Sequence, residues 1–180
     1  VENAFIDSTA FAAAVALAVS EKGLAVAVGV LTAENTIRSV VTAYILLSPS
    51  VTSAGAVTVS ATDTSTIEAY TLSLAIAIGL IAIGVGIGIG KNLIDNDVSA
   101  YITGSTVNAS GNFDITASSS PTIDTDSVGV AVSAGIGAGV AVFIAETTVE
   151  GTTEASVIGS RLTAAGNDIN VTATSVETLI

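Results

Sequence analysis

The stretch Leu72–Gly90 (LSLAIAIGLIAIGVGIGIG) constrains this chain more than any other. It carries no charge over 19 residues, and large and tiny side chains alternate along it. Leu72, Leu74, Ile76 and Ile78 fall on one side of an extended backbone, with Ser73, Ala75, Ala77 and Gly79 on the other. After Gly79-Leu80 the phase flips: Ile81, Ile83, Val85, Ile87 and Ile89 are large, while Ala82, Gly84, Gly86, Gly88 and Gly90 are small. A period of two is the strand period. The flip predicts a bulge, corner or tight turn between two strands. A membrane-spanning helix is long enough in residues, but alternation would wrap large side chains around all of it. Each interior glycine would also cost a helix about 1 kcal/mol, and only Lys91 supplies positive charge nearby. A glycine face lets another backbone approach closely.

Internal repetition sets the architecture. Val41-Thr42-Ala43-Tyr44-Ile45 returns as Val98-Ser99-Ala100-Tyr101-Ile102 and, more weakly, as Thr153-Glu154-Ala155-Ser156-Val157. Val51, Val107 and Leu162 follow, then Gly55, Gly111 and Gly166, which lie 56 and 55 residues apart. Next come three alternating strands: Val57–Ala61, Phe113–Ala117 and Ile169–Ala173. The apolar stretch repeats too. Ile6-Asp7 precedes Phe11–Val19 and Gly23–Val30, Ile67-Glu68 precedes Leu72–Gly90, and Ile123-Asp124 precedes Val128–Ala145. In the first copy Ser20-Glu21-Lys22-Gly23 interrupts the run where Gly79-Leu80 stands in the second. Charges suit a turn there better than the middle of a membrane helix.

The predicted fold is therefore all-β: a stacked β-repeat of the β-solenoid or parallel β-helix kind, with about three repeats of 55–61 residues. One array covers 1–180, in approximate units 6–66, 67–122 and 123–180. Val176–Ile180 resembles the opening Val1–Ile6, so the chain is expected to close near the phase in which it opens. Stacked strands lie about 4.8 Å apart, which makes three coils about 15 Å high. With no polar capping unit at either end, open edges would pair with further coils. The start, VENAFIDSTAF, lacks the basic region of a signal peptide, as expected of a mature chain or an internal segment.

Ala100-Tyr101-Ile102, then Thr106-Val107-Asn108-Ala109-Ser110-Gly111 and Phe113-Asp114-Ile115-Thr116-Ala117, form a line ending in an alternating strand. With the Gly/Ala/Val/Ile segments, this line resembles the repeats of large bacterial surface exoproteins, the leukotoxin-like and filamentous-haemagglutinin-like adhesins. The resemblance implies an extracellular β-solenoid rod or filament that projects or attaches, with a host or neighbouring cell surface as a partner. It implies no catalytic residues. The apolar segments here are richer than that pattern, which leaves a core, a neighbouring subunit or a membrane as what they face.

Composition narrows the chemistry. The net charge is −12 with only four basic residues, which disfavours nucleic acid and anionic lipid as partners. Histidine and cysteine are absent, removing Ser-His-Asp and Cys-His catalysis and most transition-metal sites. Asp95, Asp97, Asp124 and Asp126 could offer oxygens to Ca²⁺. They match neither an EF-hand nor a calcium-binding β-roll repeat, and Asx-turns are their plainer role. Paired acids for glycoside hydrolysis lack aromatic platforms, and Gly84–Gly90 lacks the Lys-Ser/Thr of a phosphate loop. Asn108-Ala109-Ser110 and Asn170-Val171-Thr172 match the short glycosylation sequon, which arises readily by chance.

What remains is a structural reading: no enzyme and no cofactor. Packing and assembly fall to Ile76, Ile78, Ile83, Gly84, Val85, Gly86, Ile87 and Gly88, and to Val130, Val132, Ile136, Gly137, Gly139 and Val140. Tyr44 and Tyr101 would form a ladder between repeats. Expected partners are further copies of the chain or flanking repeats. The alternative function is a membrane-inserting toxin or pore fragment using the apolar strand pairs, although a barrel lumen needs a polar face and these offer Gly and Ala.

Overall fold

The computed structural model describes residues 1–19, 22–165 and 167–180. Alternation and abundant β-branched residues give strands throughout, and every strand pair is parallel. The molecule is a β-solenoid of three stacked coils. The first comprises β1 (Phe5–Leu17), β2 (Leu24–Leu46), β3 (Val51–Ser53) and β4 (Val57–Asp63). The second has β5 (Thr66–Thr103), β6 (Thr106–Ala109) and β7 (Phe113–Ser119). The third has β8 (Thr122–Glu150), β9 (Thr153–Ile158), β10 (Arg161–Ala164) and β11 (Ile169–Ser175), after which β12 (Thr178–Leu179) pairs with the start of β8.

The repeats seen in sequence are the stacking register. Ile6, Ile67 and Ile123 lie in one column, as do Val41, Val98 and Thr153, and Val57, Phe113 and Ile169. Coil length varies most where the apolar limbs meet. Residues 18–23 separate Leu17 from Leu24, whereas Gly79-Leu80 suffice between Ile78 and Ile81, and Gly135 alone lies between Ala134 and Ile136. Gly135 has φ 141°, which a side chain rarely tolerates. Ser20 and Glu21, half of the polar interruption, lie outside the described residues, as does Gly166.

Each coil has a broad body and a thin projecting fin. In the body, strands of all three sheets close around Val98, Ile102, Val107, Phe113 and Ile115, with Val59 from the first coil. Ile37, Ile67, Ile94 and Ile123 fill a waist. Beyond it the interior shrinks to Ala25, Ala27, Ala75, Ala77 and Ala82. Interior side-chain volume thus sets the thickness, tapering from phenylalanine to alanine and glycine.

A turn in the body repeats with one irregularity. Gly104 and Gly159 sit at φ 59° and 57°, and Leu47, at the matching place in the first coil, at φ 49°. The serines that follow form a ladder: Ser48 N–H donates to Ser105 Oγ at 3.0 Å, and Ser105 N–H to Ser160 Oγ at 3.1 Å. Left-handed backbone costs a branched residue about 1–2 kcal/mol, partly offset against glycine by chain entropy. Leu47 is 71% exposed and loses little packing on truncation. Leu47→Gly is expected to raise stability by about 0.5–1 kcal/mol in urea denaturation.

Candidate functional site

The fin is the part of the fold with unusual surface chemistry. In the middle coil, β5 runs out along one limb, turns at Gly79-Leu80 and returns along the other. A Cβ built on Gly84 would lie 3.5 Å from Ala75 O, and one on Gly86 3.6 Å from Ser73 O, so the limbs face each other through their small residues. Gly84, Gly86 and Gly88 are buried between the limbs, nearest to the Val132, Val130 and Val128 carbonyls on the facing limb of the third coil, and Gly139 meets Ala131 within the third. Gly137 holds the inward place in register with Ala82. The glycine face of the middle coil thus lies inside the fin, between its two limbs.

Most of the large residues then point outward, Leu31 and Phe143, in the inward column of Gly88, being the exceptions. Ile76, Val85 and Ile87 are half-buried by their neighbours, and Ile78, Ile83, Val130, Val132, Ile136 and Val140 are exposed. The same holds in the first coil for Phe11, Val15, Leu17, Val26, Val28 and Val30. From Phe11, Leu72 and Val128 to the tip, every outward side chain on the described strands is Ala, Val, Leu, Ile or Phe. The fin inverts the usual arrangement, with a small-residue interior and an aliphatic coat on both faces.

Charge begins abruptly at the base. Asp7, Glu68 and Asp124 stand in register on one limb, and Glu34, Lys91 and Glu146 on the other. Stepping down from the Gly84–Ala75 and Gly86–Ser73 contacts brings Glu68 level with Lys91, so the two columns share one height. Each column lines a shallow groove rather than an enclosed pocket. Lys91 Nζ lies 3.4 Å from Glu146 Oε2 and Arg38 Nε 3.5 Å from Asp95 Oδ2. Both pairs are solvent-exposed, and such pairs contribute below about 1 kcal/mol.

Polar groups inside the coil are placed with equal economy. The Asp63 carboxylate is fully buried, accepting from Ser65 Oγ at 2.6 Å and Asn96 Nδ2 at 2.9 Å. A buried carboxylate is tolerable only with such donors. Asn92 donates to Thr125 Oγ1 at 2.6 Å and accepts from Asn35 Nδ2 at 2.7 Å, lacing three coils together where waist meets fin. Asn96 Oδ1 has no hydrogen-bond partner among the described residues.

The four calcium candidates are separated. Asp95 faces Arg38, and Asp97 Oδ1 accepts from the Thr152 hydroxyl at 2.7 Å and its N–H at 3.0 Å, holding the turn into β9. Asp124 and Asp126 lie on the other outer face, near Asp7 and Glu68. Among the described residues no three acidic side chains converge as a metal ion would need. Tyr44 and Tyr101 stack with centroids 5.5 Å apart and planes at 12°, a ladder between coils. Sequence reasoning missed the charged level as a set. Its signal was present, since Asp7, Glu68 and Asp124 each follow the repeated isoleucine and Lys91 directly follows the last glycine. Comparison with protein-family models, curated proteins and solved structures gave no match.

Proposed function

We propose that this chain is a segment of an extracellular structural protein: a β-solenoid whose coils stack end to end into a surface filament or adhesin stalk. One observation carries this reading. Ile169 and Val171, inward-facing in the third coil, are each 45% exposed, whereas Phe113 and Ile115 in the same columns of the middle coil are 0% exposed. A further coil laid on this end would bury them as the middle coil is buried, removing apolar surface from water. Strand edges support it too, because β1–β4 and β9–β11 each hydrogen-bond to a neighbouring coil on one side alone. Such edges pair with strands of matching register, which further copies or flanking repeats would supply. The acidic surface suits a rod that stays apart from its neighbours. Attachment to a cell surface rests on the resemblance to exoprotein repeats.

Electron microscopy with helical averaging tests the stacking. The purified chain should form filaments with a layer spacing of about 4.8 Å. Val171→Asp places a charge at the exposed inward position of the last coil. That variant should fold yet lose filaments, since burying an unpaired carboxylate is prohibitive. Filaments of normal length from Val171→Asp, or dispersed three-coil particles from the parent chain, sink end-to-end assembly.

A further inference from the structure

We propose that the fin sinks into the hydrocarbon of a zwitterionic lipid bilayer, anchoring the rod through its aliphatic coat. The apolar height from Leu72 to Leu80 is eight residues, or about 26 Å at 3.3 Å per residue. This is close to the apolar band of about 25 Å on membrane-spanning strands and the hydrocarbon thickness of about 30 Å. Both faces are apolar, as a lipid-surrounded element requires and a surface meeting one protein partner does not. Five carboxylates and Lys91 lie at one height on both limbs, with Asp126 one outward step higher in the third coil, and this is where headgroups and water would begin. Tyr70 stands one outward step above Glu68, the level at which aromatic side chains favour the membrane interface.

Charge and area narrow the occupant. The level comprises five carboxylates and Lys91, with Asp126 beside Tyr70 one step above, which repels anionic headgroups and leaves zwitterionic lipid. A second copy packed on one face is the competing partner. Three coils at about 4.8 Å spacing give each fin face about 370 Å² in outline, so a single chain falls well short of the 800 Å² or so per partner of a stable protein interface, and only side-by-side pairing of stacked rods would reach it. Lipid covers both faces at once and needs no complementary shape. Lys22, beside the Gly23 that meets Gly79 at the tip, stands a hydrocarbon thickness from the base, where the far headgroup layer would lie. The limbs close on each other through Ala and Gly, leaving no lumen, so the fin anchors without forming a pore.

Hydrocarbon also demands that backbone groups be paired. The middle coil meets this with strands on both sides. The outer edges of the first and third coils meet it only in a longer stack, and to that extent the inference rests on the stacking reading.

The chain has no tryptophan, so a single introduced indole reports its own position. Ile76→Trp sits half-way up the fin, and Tyr44→Trp lies in the body, on β2 ten residues from Glu34. Phosphatidylcholine vesicles with bromine near the acyl-chain ends should blue-shift and quench the Ile76→Trp reporter and leave Tyr44→Trp unchanged. Ile76→Lys and Ile83→Lys change side chains on the outer faces and leave the fold intact by circular dichroism. Each should lower vesicle flotation at least about thirtyfold, from the cost of a lysine near the bilayer midplane. Filaments whose Ile76→Trp emission ignores vesicles would overturn the anchor and leave stacking standing. Dispersed protein equally indifferent to vesicles would overturn both. A blue shift that grows with protein concentration in the absence of lipid would overturn the anchor and assign the fin to contact between copies.

Discussion

Gly86→Val is expected to open the fin while leaving the body of each coil folded. A Cβ at Gly86 would stand 2.8 Å from Val130 O, and the atom it meets is backbone, locked into the parallel ladder of the third coil. Side-chain repacking cannot relieve that contact, so the limbs must part. Overpacking a tight interior costs about 1–3 kcal/mol or more, and valine adds two methyl groups beyond the Cβ. The fin has little to offset this, since its interior is mostly Ala, Gly and Ser, with Leu31 and Phe143 the larger inward residues near the base, and each buried methylene is worth only about 0.8 kcal/mol. Hydrogen exchange should show peptides within 66–92 losing protection while those within 106–119 keep theirs. Gly88 supplies the contrast: a Cβ there meets nothing closer than Val128 O at 3.7 Å, an ordinary contact. Gly88→Ala should be neutral or gain up to about 1 kcal/mol from the reduced freedom of the unfolded chain. If both substitutions were equally harmless, the fin interior would not be as close-packed as its backbone spacing implies.

That contrast marks where sequence reasoning stops. Strand periodicity, the corner at Gly79-Leu80 and the three-coil register were all legible, because each depends on residue order alone: Val41, Val98 and Thr153 found one another through their neighbours. Which face turns inward was not legible. Leu74 and Ala75 are both apolar, so hydrophobic alternation marks two faces without saying which is wet, and the habit of burying large side chains gives the wrong answer here. What decides it is the fold-back itself. Two limbs joined by a two-residue corner must lie close together, and only Ala75 against Gly84 and Ser73 against Gly86 fit that gap. The same fold-back brings Glu68 level with Lys91, residues 23 apart in sequence, which no one-dimensional pattern could align. The buried Asp63 was equally hidden, since its donors Ser65 and Asn96 meet it only through the waist.

Phe113→Ala is expected to cost about 3–5 kcal/mol and to unfold the stack as a whole. Phe113 is the largest fully buried side chain, sits in the middle coil and packs with Val107 and Ile115 of its own coil, while Val57 and Ile169 flank it in the column. A cavity there has rigid sheet on every side and cannot collapse. The fin, lined by alanine, cannot make up the loss, so far-UV circular dichroism and intrinsic tyrosine fluorescence should melt together at lower urea. A change below about 1 kcal/mol would show that the body core does not carry the fold. The same column also reports on stacking. Ile169, 45% exposed at the end of the third coil, should cost below about 1 kcal/mol when truncated in dispersed protein, because water already reaches it. In filaments a further coil would cover it, and Ile169→Ala should then approach the 2–5 kcal/mol of a buried isoleucine. An Ile169→Ala cost that is the same in both states would mean that this end of the coil stays bare, and that filaments, where they form, are held by some other surface.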